Sequence, residues 1–328
     1  MRAAVLTAYG TPLQIREIPD PAPGPGEVLV RIMASGVNPL DIKIRRGEAA
    51  HAKTAPPAIL GIDMAGVVEA VGAQVDEFRV GDEVFGMTGG VGGVAGSLAE
   101  LAAVDARLIA HKPEALSMNQ AAALPLGFIT SWEGLVDRAS VAPGRQVLVH
   151  GGAGGVGFLA VQIALSRGAQ VFATGGPSSQ EAIRQVGATP IDYTTRTVDD
   201  YVDEYTGGEG FDIIVDNVGG ATLDDSFGAV KRYTGHVVSA LGWGTHSLAP
   251  LSFRGATYSG IFTLMPLLTG HGREHHGHIV SQATALADSG QLVPRLNPTT
   301  YTLDEVDEAH AVVENGSATG KVIVLPNR

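Results

Sequence analysis

The chain has 328 residues, of which 45% are hydrophobic and 17% are charged, and 44 of them are glycine. This length predicts two domains, since a single core stops growing at about 250–300 residues, and the apolar content excludes a disordered chain. A net charge of −12 argues against a nucleic acid as the partner, and the lack of cysteine excludes disulfides and thiolate-bound zinc or iron–sulfur centres.

The residues after Met1 lead directly into a short strand-like run, without the apolar segment of a signal peptide. No apolar run reaches the roughly 18–20 residues that a membrane helix needs. We therefore expect a cytoplasmic protein that does not use a membrane as a partner.

The N-terminal third is predicted to be rich in β-strands. β-prone runs occupy 28–33, 64–71 and 82–85, with glycine, proline and aspartate between them. The stretch 86–97, GMTGGVGGVAGS, is rich in glycine but opens no helix, so it offers no helix dipole to a phosphate. We interpret it as a mobile loop over the substrate cleft.

From residue 119 the pattern becomes helical, with a proline break at Pro125, and then strands and helices alternate. We predict strands over 146–150, 170–174, 211–216 and 236–241, and helices over 156–167, 180–186 and 223–230. The strand segments are almost wholly apolar, as expected for strands covered on both faces. Alternation with short connections predicts a doubly wound parallel sheet, so the fold class is α/β.

The glycine-rich junction between the first of these strands and its helix fits the pattern G-x-G-x-x-G. Its strand–turn–helix context is the one in which that pattern binds a dinucleotide, because glycines let the pyrophosphate approach the main chain at a helix N-terminus. The alternative is a glycine-rich turn that binds no ligand. The candidate cofactor-binding residues here are Gly151, Gly152, Ala153, Gly154, Gly155, Val156 and Gly157.

The end of the second strand indicates which dinucleotide is used. NAD sites carry an acidic residue there, but this chain has Thr174 and Gly175, and Glu181 is the first carboxylate. Ser178 and Ser179 would accommodate a 2′-phosphate, so we predict NADPH as the cofactor. The loop itself contains no lysine or arginine, which leaves the strictness of the choice of NADP over NAD open.

Several blocks together resemble the quinone oxidoreductase branch of the medium-chain dehydrogenase/reductase superfamily. They are ASGVNPLDIKIRRG, PAILGIDMAGVVEAVG, VGDEVFG, AAALPLGFITSWEGL, HGGAGGVG and AHAVVENGSATGKVIVL. The resemblance implies a GroES-like domain at 1–122, completed by 265–328, and a Rossmann NADP(H)-binding domain at 123–264, with the active site in the cleft between them. It also implies NADPH-dependent reduction of quinones or α,β-unsaturated carbonyls by a homodimer.

The chain departs from the zinc-dependent branch of that superfamily. Those enzymes place a cysteine near Asn38 and a His-Glu pair near Ile62-Asp63, whereas this chain has no cysteine. Catalytic zinc needs three protein ligands, so we predict a metal-free enzyme. Hydride would then add to a conjugated carbon, and the chain would have to supply donors to the oxygen that becomes charged.

Asn38 and Asp41 are the catalytic candidates. Asn38 is either a polar donor to the substrate or a turn residue before Pro39, and Asp41 is either catalytic or part of the scaffold. Asn217 follows the carboxyl end of a strand, so it either contacts the cofactor or caps the turn. The resemblance adds further cofactor contacts, with a packed tyrosine and a solvated lysine as the alternatives for two of them: Thr130, Tyr193, Leu241, Gly242, Phe262, Thr263 and Lys321.

The histidine-rich stretch HGREHHGH at 271–278 could hold a metal ion only if its glycines allow a helix, and we interpret it as an ordinary helix start. Two other functions remain open. One is an enoyl-thioester reductase, which would want a basic entrance, and Arg45-Arg46 is the only such feature that we identify. The other is a non-catalytic NADPH-binding protein with a structural or regulatory role.

Overall fold

The computed structural model describes residues 1–327 of the chain. It divides into two compact units, Met1–Leu126 with Leu264–Arg328, and Gly127–Thr263. The boundaries predicted at 122/123 and 264/265 lie a few residues from these. Within the described residues, no helix has both the length and the apolar character needed to cross a membrane.

The first unit begins with strands, as its β-prone runs predict. Its elements up to residue 126 are β1 (Arg2–Leu6), β2 (Gln14–Glu17), β3 (Glu27–Gly36), α1 (Pro39–Arg46), β4 (Ala58–Ile59), β5 (Asp63–Val71), β6 (Glu83–Met87), β7 (Leu101–Asp105), β8 (Ile109–His111) and α2 (Met118–Ala121), with 3₁₀ turns at Ala50–Ala52 and Ala106–Leu108.

The second unit alternates strands and helices. In chain order it holds α3 (Pro125–Trp132) from Gly127 onwards, a π-helical turn at Glu133–Arg138, β9 (Gln146–Val149), α4 (Gly157–Ser166), β10 (Gln170–Gly175), a 3₁₀ turn at Pro177–Ser179, α5 (Gln180–Gln185), β11 (Thr189–Asp192), α6 (Val198–Thr206), β12 (Ile213–Asp216), α7 (Ala221–Ala229), β13 (His236–Ser239), α8 (Ala249–Arg254) and β14 (Thr257–Gly260).

The chain then returns to the first unit. Its last elements are α9 (Met265–Thr269), α10 (Arg273–Asp288), β15 (Leu296–Thr302), a 3₁₀ turn at Leu303–Glu305, α11 (Val306–Glu314) and β16 (Lys321–Leu325). β16 pairs antiparallel with β3, so that Ile323 lies opposite Gly36. The C-terminal strand therefore completes a sheet that the N-terminal segment begins.

Two sheets build the first unit. A small antiparallel sheet has the order β2-β1-β4, and a seven-stranded sheet has the order β15-β16-β3-β5-β6-β8, with β7 pairing to β3. Alternate residues of β3 and the facing strands form one apolar core, which includes Val30, Ile32, Met64 and Val84. This inward alternation is the pattern of strands that pack on one face.

The sheet of the second unit is parallel and has the order β11-β10-β9-β12-β13-β14. Numbered from β9, this is 3-2-1-4-5-6, the strand order of a Rossmann domain. Its core contains buried aromatic side chains, among them Phe172, Phe211 and Phe227. The predicted doubly wound parallel sheet is confirmed, with helix and strand ends that shift by a few residues.

The prediction for 86–97 as a mobile loop is wrong. This segment is tied to the chain before β5, because the amides of Gly96, Ser97 and Leu98 donate to the carbonyls of residues 59–61. A Cβ at Gly96 would lie 2.2 Å from the Leu60 carbonyl oxygen, so the two backbones are in close contact. The glycines permit this close packing.

Candidate active site and dinucleotide-binding turn

The glycine-rich turn lies at the carboxyl end of β9 and leads into α4. Gly151 adopts a positive φ of 68°, and the Gly154 amide donates to the Gly151 carbonyl at 3.0 Å. The first hydrogen bond of helical type runs from Phe158 N–H to Gly154 C=O at 2.9 Å. The amides just before Phe158 have no acceptor within the helix, so they present the partial positive charge that attracts an anion.

The glycines of this turn differ in what a side chain at their position would meet. A Cβ at Gly152 would lie 2.5 Å from the Cβ of Ala173, and one at Gly157 would lie 2.2 Å from the Gly151 carbonyl oxygen. These two glycines are required for packing of the turn itself. A Cβ at Gly155 would have no atom within 4 Å, and one at Gly154 would meet the Gly151 oxygen at 3.3 Å.

The open space in front of Gly154 and Gly155 has the property expected of a pyrophosphate cradle. A Cβ at either position would meet protein atoms less closely than a Cβ at Gly152 or Gly157 would. A side chain there would instead fill the region in front of the helix N-terminus. The residues present therefore fit a bound dinucleotide at this turn.

Thr174 and His150 hold the start of the turn in place through hydrogen bonds. The Thr174 hydroxyl accepts the Gly151 amide at 3.2 Å and contacts Nδ1 of His150 at 3.2 Å. Burial lowers the pKa of His150 to about 4, so its ring is neutral, and the described residues offer no hydrogen-bond partner to Nε2. Thr174, predicted to bind cofactor, is thus engaged within the protein and orients Gly151.

The loop after β10 contains the residues predicted to receive a 2′-phosphate. Ser178 is exposed and Ser179 half-buried, and both belong to the 3₁₀ turn. Tyr193 is 62% exposed, and its hydroxyl lies 3.7 Å from the point where a Cβ of Gly176 would stand. Gly175 is buried, and a Cβ there would meet Ile183 and Ser179 at 2.9 Å. Tyr193 and this loop are therefore neighbours.

The carboxyl ends of β12 and β13 are joined through Asp216. Its carboxylate accepts the amides of Val218 and Gly219 and, at 2.7 Å, the hydroxyl of Ser239. The side-chain amide of Asn217 donates to the His150 carbonyl at 3.1 Å and so links β12 to the glycine turn. Asn217 stands at the edge predicted for it, and Asp216 is a positioning residue that the sequence analysis missed.

The remaining cofactor candidates of the second unit follow β13 and β14 or lie on α3. Leu241 is half-buried and donates its amide to Ser239 Oγ at 3.0 Å, and Gly242 is exposed. Phe262 is half-buried, and Thr263 is buried with its hydroxyl 2.9 Å from that of Thr130. Thr130 and Thr263 thus form a pair, while Leu241 and Phe262 lie at the carboxyl edge of the parallel sheet.

In the first unit, Asn38 belongs to a buried polar cluster with Asp63 and Lys321. The Lys321 ammonium donates to Asn38 Oδ1, and to Asp63 Oδ2 at 2.8 Å. Asn38 Nδ2 donates to the same Asp63 oxygen at 3.0 Å and to the Gly36 carbonyl at 3.3 Å. Both ends of the Asn38 amide are thereby held, and two of the three N–H donors of Lys321 are used.

Asp41 is buried beside this cluster, in the first turn of α1. Its carboxylate accepts the Asn38 amide at 2.8 Å and the Gly61 amide at 3.2 Å. Burial is the main cause that raises the pKa of Asp41 to about 7, with Asp63 adding to the rise and Lys321 opposing it. This geometry favours the scaffold role over the catalytic one, because both oxygens hold backbone groups.

These residues do not form a zinc site. The cluster combines an ammonium, an amide and one carboxylate that already bonds the ammonium, and structural or catalytic zinc requires three or four His, Cys or carboxylate ligands. Across residues 1–327, no group of three or more His, Cys, Asp or Glu side chains could hold a metal ion. Of the histidines at 271–278, His271 precedes α10, and the other three lie in the first two turns of this helix, which begins at Arg273.

The structure brings the predicted residues together in two groups. Asn38, Asp41 and Lys321 share one cluster in the first unit, and the other candidates belong to the second unit. Asp63 and His150 were not predicted as functional residues. Asp63 stands in the quoted GID block and His150 directly precedes the glycine motif, so both were visible as polar residues beside predicted apolar strands.

Comparison with known proteins identifies the family. The sequence profile of the alcohol dehydrogenase GroES-like domain matches residues 24–114, and that of the zinc-binding dehydrogenases matches residues 186–324. The human quinone oxidoreductase is 33% identical over 99% of this chain and 98% of its own length. The 2-methylene-furan-3-one reductase of Solanum lycopersicum is 34% identical over 92% of this chain and 72% of its own length.

A solved structure agrees. An alcohol dehydrogenase superfamily protein from Novosphingobium aromaticivorans superposes with a TM-score of 0.97 at 56% identity, and the match covers 100% of both chains. The two domain profiles, the whole-length match to the human quinone oxidoreductase and the 3-2-1-4-5-6 sheet agree with one another. The chain belongs to the quinone oxidoreductase branch of the medium-chain dehydrogenase/reductase superfamily.

Proposed function

We propose that this protein is an NADPH-dependent, metal-free reductase that transfers hydride to quinones or α,β-unsaturated carbonyls. The observation that carries the proposal is the open cradle at Gly154 and Gly155, in front of α4 in a sheet of Rossmann order. The names of the two relatives, a quinone oxidoreductase and a 2-methylene-furan-3-one reductase, support the class of acceptor.

The second unit binds and orients the cofactor in this proposal. When bound, the nicotinamide supplies the hydride. The amides before Phe158 receive the pyrophosphate, and the Thr174–His150 pair holds Gly151 in the conformation that exposes them. Asn217 fixes the end of β12 against the same turn.

The loop of Ser178 and Ser179, with the neighbouring Tyr193, supplies hydroxyl donors but no fixed positive charge of its own. Arg184 is one turn further along and bonds Glu181 at 2.6 Å. We propose NADPH as the preferred cofactor because no carboxylate stands at the end of β10 to repel a 2′-phosphate. The preference for NADPH over NADH should be modest, because hydroxyl groups bond a phosphate less strongly than a lysine or arginine side chain does.

The first unit supplies a fixed positive charge in this proposal. Lys321 is held by Asn38 and Asp63, which leaves one ammonium N–H available to an anionic or polar ligand group. Asn38 contributes by orienting Lys321. Asp41 holds the start of α1 and the Gly61 amide, so it shapes the site without exchanging a proton.

We also propose that the protein is a homodimer. β14 is the last strand of the parallel sheet and has one strand neighbour, β13, within the described residues. An edge strand exposes unpaired backbone groups that can pair with a second chain. Light scattering after gel filtration should give twice the 33.8 kDa chain mass, and a monomer at micromolar concentration would contradict this. The expected cytoplasmic location stays a prediction.

A spectrophotometric panel tests the function. Loss of NADPH absorbance with a quinone or an enone, retained after dialysis against EDTA, is the expected result. Activity that is restricted to enoyl-thioesters would favour that alternative function. Tight NADPH binding with no turnover on any acceptor would favour a non-catalytic binder. Loss of activity with EDTA and its recovery with zinc would contradict the metal-free mechanism.

A further inference from the structure

Trp243 lies directly after Leu241 and Gly242, which are predicted to contact the nicotinamide, and the proposed function gives no role to its side chain. Its side chain is 60% exposed, which is unusual for the largest apolar side chain. The indole Nε1 donates to the Ala240 carbonyl at 3.1 Å, so the ring is held in one orientation although it reaches solvent. An exposed aromatic ring that is fixed in place is typical of a recognition surface.

Phe262 contacts this ring from the neighbouring strand end. The two ring centroids are 6.0 Å apart with an interplanar angle of 79°, the edge-to-face geometry that aromatic pairs prefer. Trp243 follows β13, and Phe262 follows β14. Because parallel strands end at the same edge, the pair stands at the carboxyl edge of the sheet, where ligands of this fold bind.

The backbone around Trp243 is built to hold this position. A Cβ at Gly242 would stand 2.2 Å from the Tyr258 hydroxyl, so the loop passes directly over that group. A Cβ at Gly219 would lie 2.8 Å from the Leu241 carbonyl oxygen, so the turn after β12 supports the loop from the other side. The exposed Val218 on that turn extends the apolar edge.

The strand order indicates which end of the dinucleotide lies here. In a 3-2-1-4-5-6 sheet, the adenosine ribose is read at the end of the second strand, which is β10. The opposite half of the edge, over β12 to β14, therefore belongs to the nicotinamide end. Trp243 and Phe262 stand on that half, where an acceptor must lie to receive hydride.

We infer that Trp243, held by Phe262, selects planar aromatic acceptors such as bicyclic quinones over short aliphatic enals. A flat ring can stack on the indole, whereas an alkenal chain gains little from it. The inference rests on the proposed reductase function. It names the acceptor class within that function and the residue responsible for the choice.

The kinetic test compares three variants with menadione and trans-2-hexenal as acceptors. Trp243→Leu removes the ring and should raise KM for menadione about five- to tenfold, with little change in KM for hexenal. Trp243→Phe should restore most of the menadione affinity. Phe253→Leu, which changes an 86% exposed aromatic residue on α8, is the matched control and should alter neither constant. Equal effects on both acceptors, or none, would overturn the inference.

A binding test without turnover uses the tryptophan itself. The chain has two tryptophans, and Trp132 is buried, so Trp243 in a Trp132→Phe background is a single exposed reporter. Menadione without NADPH should quench its emission saturably, and hexenal should not. Linear, non-saturable quenching would overturn the inference, as would emission that changes with protein concentration, because a second copy would then cover the ring.

The two tests also separate the inference from the proposed function. If no acceptor is reduced but saturable quenching by menadione occurs, the reductase function fails while Trp243 still binds planar rings. If quinone and enal are both reduced and Trp243→Leu leaves the ratio of their kcat/KM values unchanged, the function stands and the role of Trp243 is refuted.

Discussion

The Lys321 ammonium donates to the Asp63 carboxylate at 2.8 Å, although the two residues are 258 positions apart in the chain. Asp63 is fully buried, and the Lys321 side chain is 11% exposed. Asp63 Oδ1 also accepts the Leu126 amide at 2.8 Å, so one carboxylate connects three distant segments of the first unit. A buried charge of this kind is tolerated only because its partners are present.

Removal of Lys321 should destabilise the protein. In Lys321→Met the Asp63 charge stays buried without its counter-ion, so we expect the free energy of unfolding to fall by about 3–5 kcal/mol in urea titrations. The double variant Asp63→Asn/Lys321→Met removes both charges and should lose less than the two single changes added together. Strict additivity would show that the pair is not coupled.

Four of the five glycines of the turn should separate into two classes. Gly155→Val places a side chain in the open cradle, so we expect a folded protein whose NADPH affinity falls on the order of tenfold or more. Gly154→Val should lower the affinity in the same way, with a small additional fall in Tm because its Cβ meets the Gly151 oxygen at 3.3 Å. Gly152→Val and Gly157→Val meet protein atoms and should lower Tm instead. Calorimetric titration and thermal unfolding measure the two effects. Undiminished NADPH affinity in folded Gly155→Val would refute the cradle.

Gly176 offers a test of cofactor choice. A Cβ there would meet only the Tyr193 hydroxyl, at 3.7 Å, so Gly176→Asp fits without strain, unlike a change at Gly175. The new carboxylate should repel a 2′-phosphate and accept the ribose hydroxyls of NADH. We expect the ratio of kcat/KM for NADPH to that for NADH to fall on the order of tenfold. Gly176→Asn, without the charge, is the matched control and should change the ratio far less.

Asp41 should make stability depend on pH. Its folded pKa of about 7 lies above the value near 4 of an unfolded aspartate, so the native state holds the proton more tightly between these values. Its stabilising contribution is therefore complete below pH 4 and is lost as the pH rises to 7. Between pH 4.5 and pH 8, the free energy of unfolding of the wild type, measured in urea, should fall by about 1–4 kcal/mol more than that of Asp41→Asn. A difference between the unfolding free energies of the wild type and Asp41→Asn that stays constant with pH would contradict the raised pKa of Asp41. Asp63 and Lys321 are the other charged groups that face Asp41 in this cluster.

Much of the second unit could be predicted from local sequence. Apolar runs such as VLV and IIV mark strands buried on both faces, and the turn at 151–157 identifies itself through its neighbouring strand and helix. These signals are local because, apart from the crossover from β11 to β12, each strand pairs with the strand before it in the chain. Thr174 was predicted to lie by the cofactor, and its actual bond to Gly151 depends on a side-chain rotamer that no pattern reveals.

The first unit was harder to predict because its chemistry is non-local. The role that we propose for Asp63 depends on its contacts with Asn38, Leu126 and Lys321, which are distant in sequence. The packed 86–97 loop was misjudged for the same reason: its partners at 59–61 are far along the chain, and glycine content alone does not distinguish close backbone packing from mobility.

The pairing of β16 with β3 has a consequence for synthesis on the ribosome. Every strand of the Rossmann sheet has been made once residue 260 emerges, so that unit can fold while translation continues. In the other unit, β7 already pairs with the first half of β3, but the end of β3 at Ser35 and Gly36 lacks its partner on that side, and Asp63 lacks its ammonium, until residues 321–325 are released. Nascent chains stalled before that point should therefore be the species that needs a chaperone.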